Sequence, residues 1–124
     1  MNAFGKEQMY RVQVENINLL RTEITGLQFH DYARHAKTLE VGDILELRRE
    51  KMNEFDRAAI AVYFEGDKIG FVAKEENKIL SKLADHDVPL EAFVVEHNKD
   101  AGIYKGNQRL MANIYMPYTF VIQD

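Results

Sequence analysis

The chain has no cysteine, and that single absence excludes a disulfide framework, a thiolate zinc site, an iron–sulfur cluster and a cysteine nucleophile. It fits a reducing compartment, and a cytoplasmic protein is expected. One serine is present, Ser81, with no glycine elbow or oxyanion loop around it, so a serine nucleophile has no support either. Only 2 prolines and 7 glycines occur among 124 residues, which rules out collagen-like and low-complexity chains. Long hydrophobic runs are missing too: a stretch such as Ala58–Phe64 falls far short of the roughly 18 residues of a membrane-spanning helix. The N-terminus places Lys6 and Glu7 where a secretory signal needs an apolar stretch, so neither export by that route nor a membrane partner is expected. Positive charge is in deficit, with 16 Lys and Arg against 20 Asp and Glu and a net charge of −4. Coating of long nucleic acids through counterion release is therefore disfavoured, and any nucleic-acid contact must be local. Repeats, Pro-rich linkers and runs of like charge are absent, so nothing marks a boundary between two cores.

What is present is 46% hydrophobic residues in short, patterned segments, enough for one core. Tyr10, Val12 and Val14 alternate with polar residues, the period of a half-buried strand. Residues 23–29 suggest a second extended segment with a bend or bulge at Gly26. A turn at Val41-Gly42-Asp43 leads into a strand at about 44–50. Another strand follows at about 58–65, and Glu65-Gly66-Asp67-Lys68 turns it into KIGFVA as a hairpin. Next comes a helix at about 74–86, with Ile79, Leu80 and Leu83 on one face and Lys74, Glu75, Lys78 and Lys82 on the other, ended by Val88-Pro89. Residues 90–97 and 108–116 predict two further strands across a polar loop holding Gly102 and Gly106, and 118–122 a last short one. About six short strands and one main helix after the central hairpin suggest a mostly β fold, a small OB-like six-stranded antiparallel barrel.

Enzymatic constellations are weak. His30, His35, His86 and His97 lack metal-ligand spacing and are better explained as structural or solvated, and no phosphate-binding glycine loop occurs. Asp43, Glu46, Glu50, Glu54 and Asp56 could supply a two-metal nuclease, but alternation with Leu45 and Leu47 makes a solvated strand face the better explanation. No enzymatic activity, metal or cofactor is expected. The segment from Arg48 to Arg57 differs in kind, because Arg48, Arg49 and Arg57 accompany Asn53, Phe55 and Asp56 between two apolar strands. An exposed aromatic beside cations can stack a base while the cations hold phosphate and a carboxylate or amide bonds a sugar hydroxyl. Phe55 as a core plug in an ordinarily solvated loop is the competing explanation.

The segments ITGLQF (24–29), LEVGDILELRRE (39–50), NEFDRAAIAVY (53–63) and KIGFVAKEE (68–76) together resemble the HIRAN domain family. This small module sits at the N-terminus of SWI2/SNF2-type DNA repair ATPases and also occurs alone in bacteria. The resemblance spans about residues 22–116 and implies an OB-like barrel over 22–124, with residues 1–21 as an N-terminal extension that adds a strand. It also implies a non-enzymatic module that captures the free 3′-hydroxyl end of single-stranded DNA in repair or stalled-fork processing, beside a separately encoded helicase or nuclease. By that likeness Phe29 and Phe55 sandwich the terminal base, Asp56 accepts the 3′-hydroxyl hydrogen bond and Asn53 supplies the amide beside it. Phe71 contacts the base and Lys74 a phosphate. Three positions depart from the family pattern: Gln28 stands for a phosphate-contacting arginine, Glu54 for proline and Ala59 for asparagine. A lost cation and a gained acid weaken phosphate binding. The alternative function is a protein-interaction barrel that presents Phe29, Phe55 and Phe71 as an apolar patch.

Overall fold

The computed structural model describes residues 10–99 and 108–123. Six strands, β1 (Tyr10–Thr25), β2 (Ile44–Arg49), β3 (Ile60–Phe64), β4 (Asp67–Val72), β5 (Glu91–Asn98) and β6 (Arg109–Gln123), close into one antiparallel barrel in the order β1-β4-β3-β2-β5-β6. A four-residue helix α1 (Tyr32–His35) follows β1, and the main helix α2 (Lys74–Asp85) follows β4. The mostly β barrel and the helix after the central hairpin agree with the sequence expectation. The boundary expected between residues 21 and 22 falls inside β1.

Inward-facing side chains alternate as a two-residue period requires, and Ile24, Leu45, Ile60, Val62, Ile69, Leu110 and Ile114 are all essentially buried. Leu80 of α2 closes the core and is fully buried. The β3–β4 hairpin turns on Glu65 and Gly66, with φ of 50° and 86°. Positive φ at both central residues is the mark of a type I′ turn, whose twist matches that of the flanking strands. Across the β4–β1 seam a Cβ on Gly70 would overlap the Thr25 carbonyl oxygen and lie 2.9 Å from Ile24 Cγ2, so only glycine lets the two backbones approach.

Four local expectations need correction. Residues 23–29 are not one extended segment: β1 ends at Thr25, Gly26 takes φ 73°, and Leu27–Phe29 wind into a 3₁₀ turn. Left-handed glycine geometry ends the strand there instead of bulging it. On α2 the buried face is Asn77, Leu80 and Ser81, while Ile79 is 61% exposed. The helix rests on the barrel through the i, i+3, i+4 stripe that begins at a polar residue, a register that an apolar-only count misses. Residues 118–122 are no separate strand, because β6 runs unbroken through Gln123. Finally, Tyr10, Val12 and Val14 stand 57%, 68% and 65% exposed, on a part of β1 that pairs with β6 alone among the described residues. The expected loop with Gly102 and Gly106 lies outside the described residues.

Candidate nucleic-acid interface

The loop between β2 and β3 is built by hydrogen bonds from its own side chains. Asn53 Oδ1 accepts the backbone N–H groups of Phe55 (2.8 Å) and Asp56 (3.0 Å), the Asx-turn geometry that asparagine favours. Its amide nitrogen donates to Glu50 Oε1 at 3.0 Å, and Glu50 forms an ion pair with Lys68 on β4. Partial burial pushes the Glu50 carboxyl up, but the Lys68 and Asn53 hydrogen bonds and the Lys68 charge outweigh it and hold the carboxyl below its ordinary range. Asn53 thus shapes the loop that presents its two neighbours.

Those neighbours face a cavity of about 200 Å³ lined by Asn53, Phe55, Asp56, Phe71, Lys74 and Asn77, with Ala59, Thr25 and Val72 completing a largely apolar wall. Phe55 is 91% exposed at the cavity rim, which removes the core-plug explanation. Asp56 is fixed from two sides: Oδ1 accepts the Ala58 N–H at 2.9 Å and Oδ2 accepts the Asn77 side-chain amide at 2.7 Å. The Ala58 N–H, the Asn77 amide and the charges of Lys74 and Lys78 hold this carboxyl below its ordinary range, so it is ionised at neutral pH. Lys74 is the first residue of α2, and the helix N-terminus adds partial positive charge to the same wall.

Phe71 lines the cavity from β4, with His30 edge-on at 5.3 Å between ring centroids and Lys68 Nζ 5.0 Å over its ring. Burial, then the Lys68 charge, lowers the His30 pKa.

Not every expected residue converges here. Phe29 is 76% exposed on the 3₁₀ turn but is not part of the cavity wall with Phe55 and Phe71. Gln28 lines a separate cavity with His30, Tyr32 and Lys37. Arg48 lies along β2, bonded to Glu46 at 2.9 and 3.1 Å and stacked 3.9 Å over the Tyr63 ring. Arg49 is the structural tie of the loop, donating to Asp85 and to the carbonyls of Ala59 and Arg57, with its side chain only 14% exposed. Both arginines are thus engaged with the protein itself, Arg49 with little surface left and Arg48 with its side chain 49% exposed. Arg57 is exposed on the same loop, away from the cavity wall.

Sequence reasoning missed Asn77 and the part played by Lys78. The available signal was a polar residue three positions before Leu80 on the stripe that α2 buries. Among the described residues no group of three or more His, Asp or Glu converges to hold a metal ion. Nor is any helix among them long and apolar enough to cross a membrane.

Fold and cavity together define a small closed barrel that presents an anchored carboxylate, an exposed aromatic and a helix N-terminus at one open site. Residues 17–119 match the HIRAN domain, and the chain belongs to that family. HIRAN domains are nucleic-acid-binding modules and not catalytic ones. The chain is similar to the HIRAN domain of human HLTF, with a TM-score of 0.64 and 18% identity over 84% of this chain and 78% of that one. It is also similar to a protein from Lactobacillus plantarum, with a TM-score of 0.75 and 23% identity over 85% of this chain and 98% of that one. At these identities the likeness is one of fold. No curated protein matches the chain by sequence.

Proposed function

We propose that the cavity captures the free 3′-hydroxyl end of single-stranded DNA. The observation that carries this is Asp56, ionised and held by two hydrogen bonds in the wall of an open, largely apolar cavity that it shares with the exposed Phe55. An ionised carboxylate has about four lone-pair sites, so after Ala58 and Asn77 it still has room for a hydroxyl donor, and it repels a terminal phosphate. Phe55 and Phe71 offer ring surface to the last base, a contact worth about 1–3 kcal/mol per base and indifferent to its identity. Lys74 and the N-terminus of α2 suit the adjoining phosphate. Phe29 joins from the 3₁₀ turn once a strand lies across the rim. A module with this selectivity would serve repair or stalled-fork processing by delivering ends to a helicase or nuclease carried elsewhere.

The test is fluorescence anisotropy with short single-stranded DNA ending in a 3′-hydroxyl or a 3′-phosphate, for wild type and Asp56→Ala. Preferential binding of the hydroxyl end by wild type, lost in the variant, is the expected result. With about three phosphates engaged, affinity should fall with a log-log salt slope of roughly −2. Equal binding of both ends, or of neither at high protein concentration, overturns end capture. In the latter case, a salt-insensitive protein ligand for the Phe55 and Phe71 patch becomes the reading to pursue.

A further inference from the structure

Capture of a strand end needs cations as well as a carboxylate, and among the described residues the cavity wall itself holds one, Lys74. Arg49 is committed to Asp85 and two carbonyls, and Arg48 to Glu46 and the Tyr63 ring. Lys68 is placed differently. On a regular strand Lys68 and Phe71 would point to opposite faces, because side chains alternate. The β3–β4 pairing passes from Val62↔Gly70 to Tyr63↔Lys68 and leaves Ile69 as an extra residue, a bulge that re-aims Lys68 toward Phe71. Its Nζ lies 5.0 Å over the ring of Phe71, which lines the cavity. The Lys68 backbone is fixed by that pairing and by its carbonyl, which accepts the Asp31 N–H at 3.0 Å. Its side chain is 28% exposed and forms an ion pair with Glu50. Glu50 does not depend on Lys68 alone: it also accepts the Asn53 amide at 3.0 Å, and its own N–H donates to Ala59.

We propose that Lys68 is a second phosphate-binding residue of this site, with Glu50 as the counter-ion that holds its side chain until a strand arrives. The inference rests on the reading of the cavity as a strand-end site and adds to it the cation beside Phe71. One oxyanion replaces another on the same ammonium, and the flexible four-carbon stem of lysine lets Nζ move while β4 stays paired. Glu50 is 25% exposed, so the carboxylate that Lys68 leaves behind meets water and keeps its Asn53 bond. The loop that presents Phe55 and Asp56 therefore holds its shape through the exchange. In the bound state Glu50 is a like charge near the phosphate, and it sets the wild-type affinity below what the cavity would reach without it. Lys68 positions the backbone and reads no end, a task that stays with Asp56.

Anisotropy titrations of the full chain with 3′-hydroxyl single-stranded DNA, repeated over a range of salt, test the exchange. Lys68→Gln, whose amide still donates to Glu50, is expected to bind more weakly, with a log-log salt slope shallower by about 0.7 for the lost phosphate contact. A residue that merely supports Phe71 would weaken binding without changing the slope. Lys68→Arg is expected to keep the wild-type slope. Glu50→Gln retains an acceptor for Asn53 and should bind about two- to fivefold tighter, the range of a partly exposed ion pair. That gain should vanish in Lys68→Gln/Glu50→Gln, because it acts through Lys68. An unchanged slope in Lys68→Gln, or a Glu50→Gln gain that survives without Lys68, overturns the inference. Circular dichroism identifies a variant that fails to fold, and a measurement on wild type then decides: by carboxyl-detected NMR, Glu50 should titrate at higher pH with DNA bound than without, and an unmoved Glu50 overturns the exchange. The two readings fail separately. Equal wild-type binding of hydroxyl and phosphate ends sinks end capture while the Lys68 slope still reads phosphate contact, whereas a wild type that binds neither end overturns both.

Discussion

Asp56 receives one hydrogen bond from two residues along its own loop and another from Asn77, 21 positions away on α2. The second ties loop to helix and sets the carboxylate in the cavity wall. Asn77 is buried at 3% exposure, and the amide it gives to Asp56 is charge-assisted, which makes it a positioning residue for the candidate ligand acceptor. Replacing Asn77 with alanine should move the Asp56 pKa up toward its ordinary value. The same change should lower stability by about 1 kcal/mol, the low end for such a bond because Asp56 remains partly open to solvent. Carboxyl-detected NMR titration and urea denaturation measure the two effects separately. An unchanged Asp56 titration would show that the Ala58 N–H and the lysines suffice.

At the scale of elements, the cavity exists because three of them meet: the end of β1, the loop before β3 and the start of α2. The β1–β4 seam is narrow, with Ile24↔Val72 and Thr25↔Phe71 as its described pairs, and Gly70 permits its close approach. Gly70→Ala forces the strands apart where Thr25 and Phe71 flank the cavity, and overpacking of this kind costs about 1–3 kcal/mol. A lower urea midpoint with an unchanged m-value is expected, together with weaker DNA binding. An unaltered midpoint would mean that the seam relaxes without strain. Arg49 performs the complementary task on the other side, where its guanidinium joins the β2 end to Asp85 at the end of α2.

Across the whole molecule, ionisable groups point one way in acid. The carboxyls of Asp56, Asp67 and Asp85 lie below their ordinary range, through the Ala58 N–H, the His35 hydrogen bond and the Arg49 hydrogen bond respectively as the leading causes. A depressed carboxyl contributes stability that is complete above its unfolded pKa, near 3.8, and disappears as pH falls through the folded value. His30 adds a separate step. Its folded pKa lies below 6.5, so between the two values the unfolded chain binds the extra proton and stability drops as pH falls. Denaturant midpoints should thus decline gently below about pH 6.5 and steeply below about pH 4, with His30→Gln removing the first decline alone. A flat profile from pH 7 to 5 in wild type would contradict the His30 assignment.

Strand and helix identity were legible along the chain because they depend on local period and turn chemistry. The hairpin at Glu65-Gly66, the apolar run of β3, the alternation in β5 and the helix from Lys74 all follow from residues within one turn or strand of each other. The residues quoted for the HIRAN resemblance likewise placed Asn53, Phe55, Asp56, Phe71 and Lys74 in one site, and they share a cavity wall. Arg48 and Arg49 could not be assigned that way, since a cation's partner is a matter of which carboxylate the fold brings near: Glu46 in one case, Asp85 in the other. The same holds for Asn77, whose burial depends on the seating of α2, and for Val12 and Val14. Alternation shows that a strand has an apolar face; whether that face meets a core is settled by how far β1 and β6 run past the barrel that closes around Leu80.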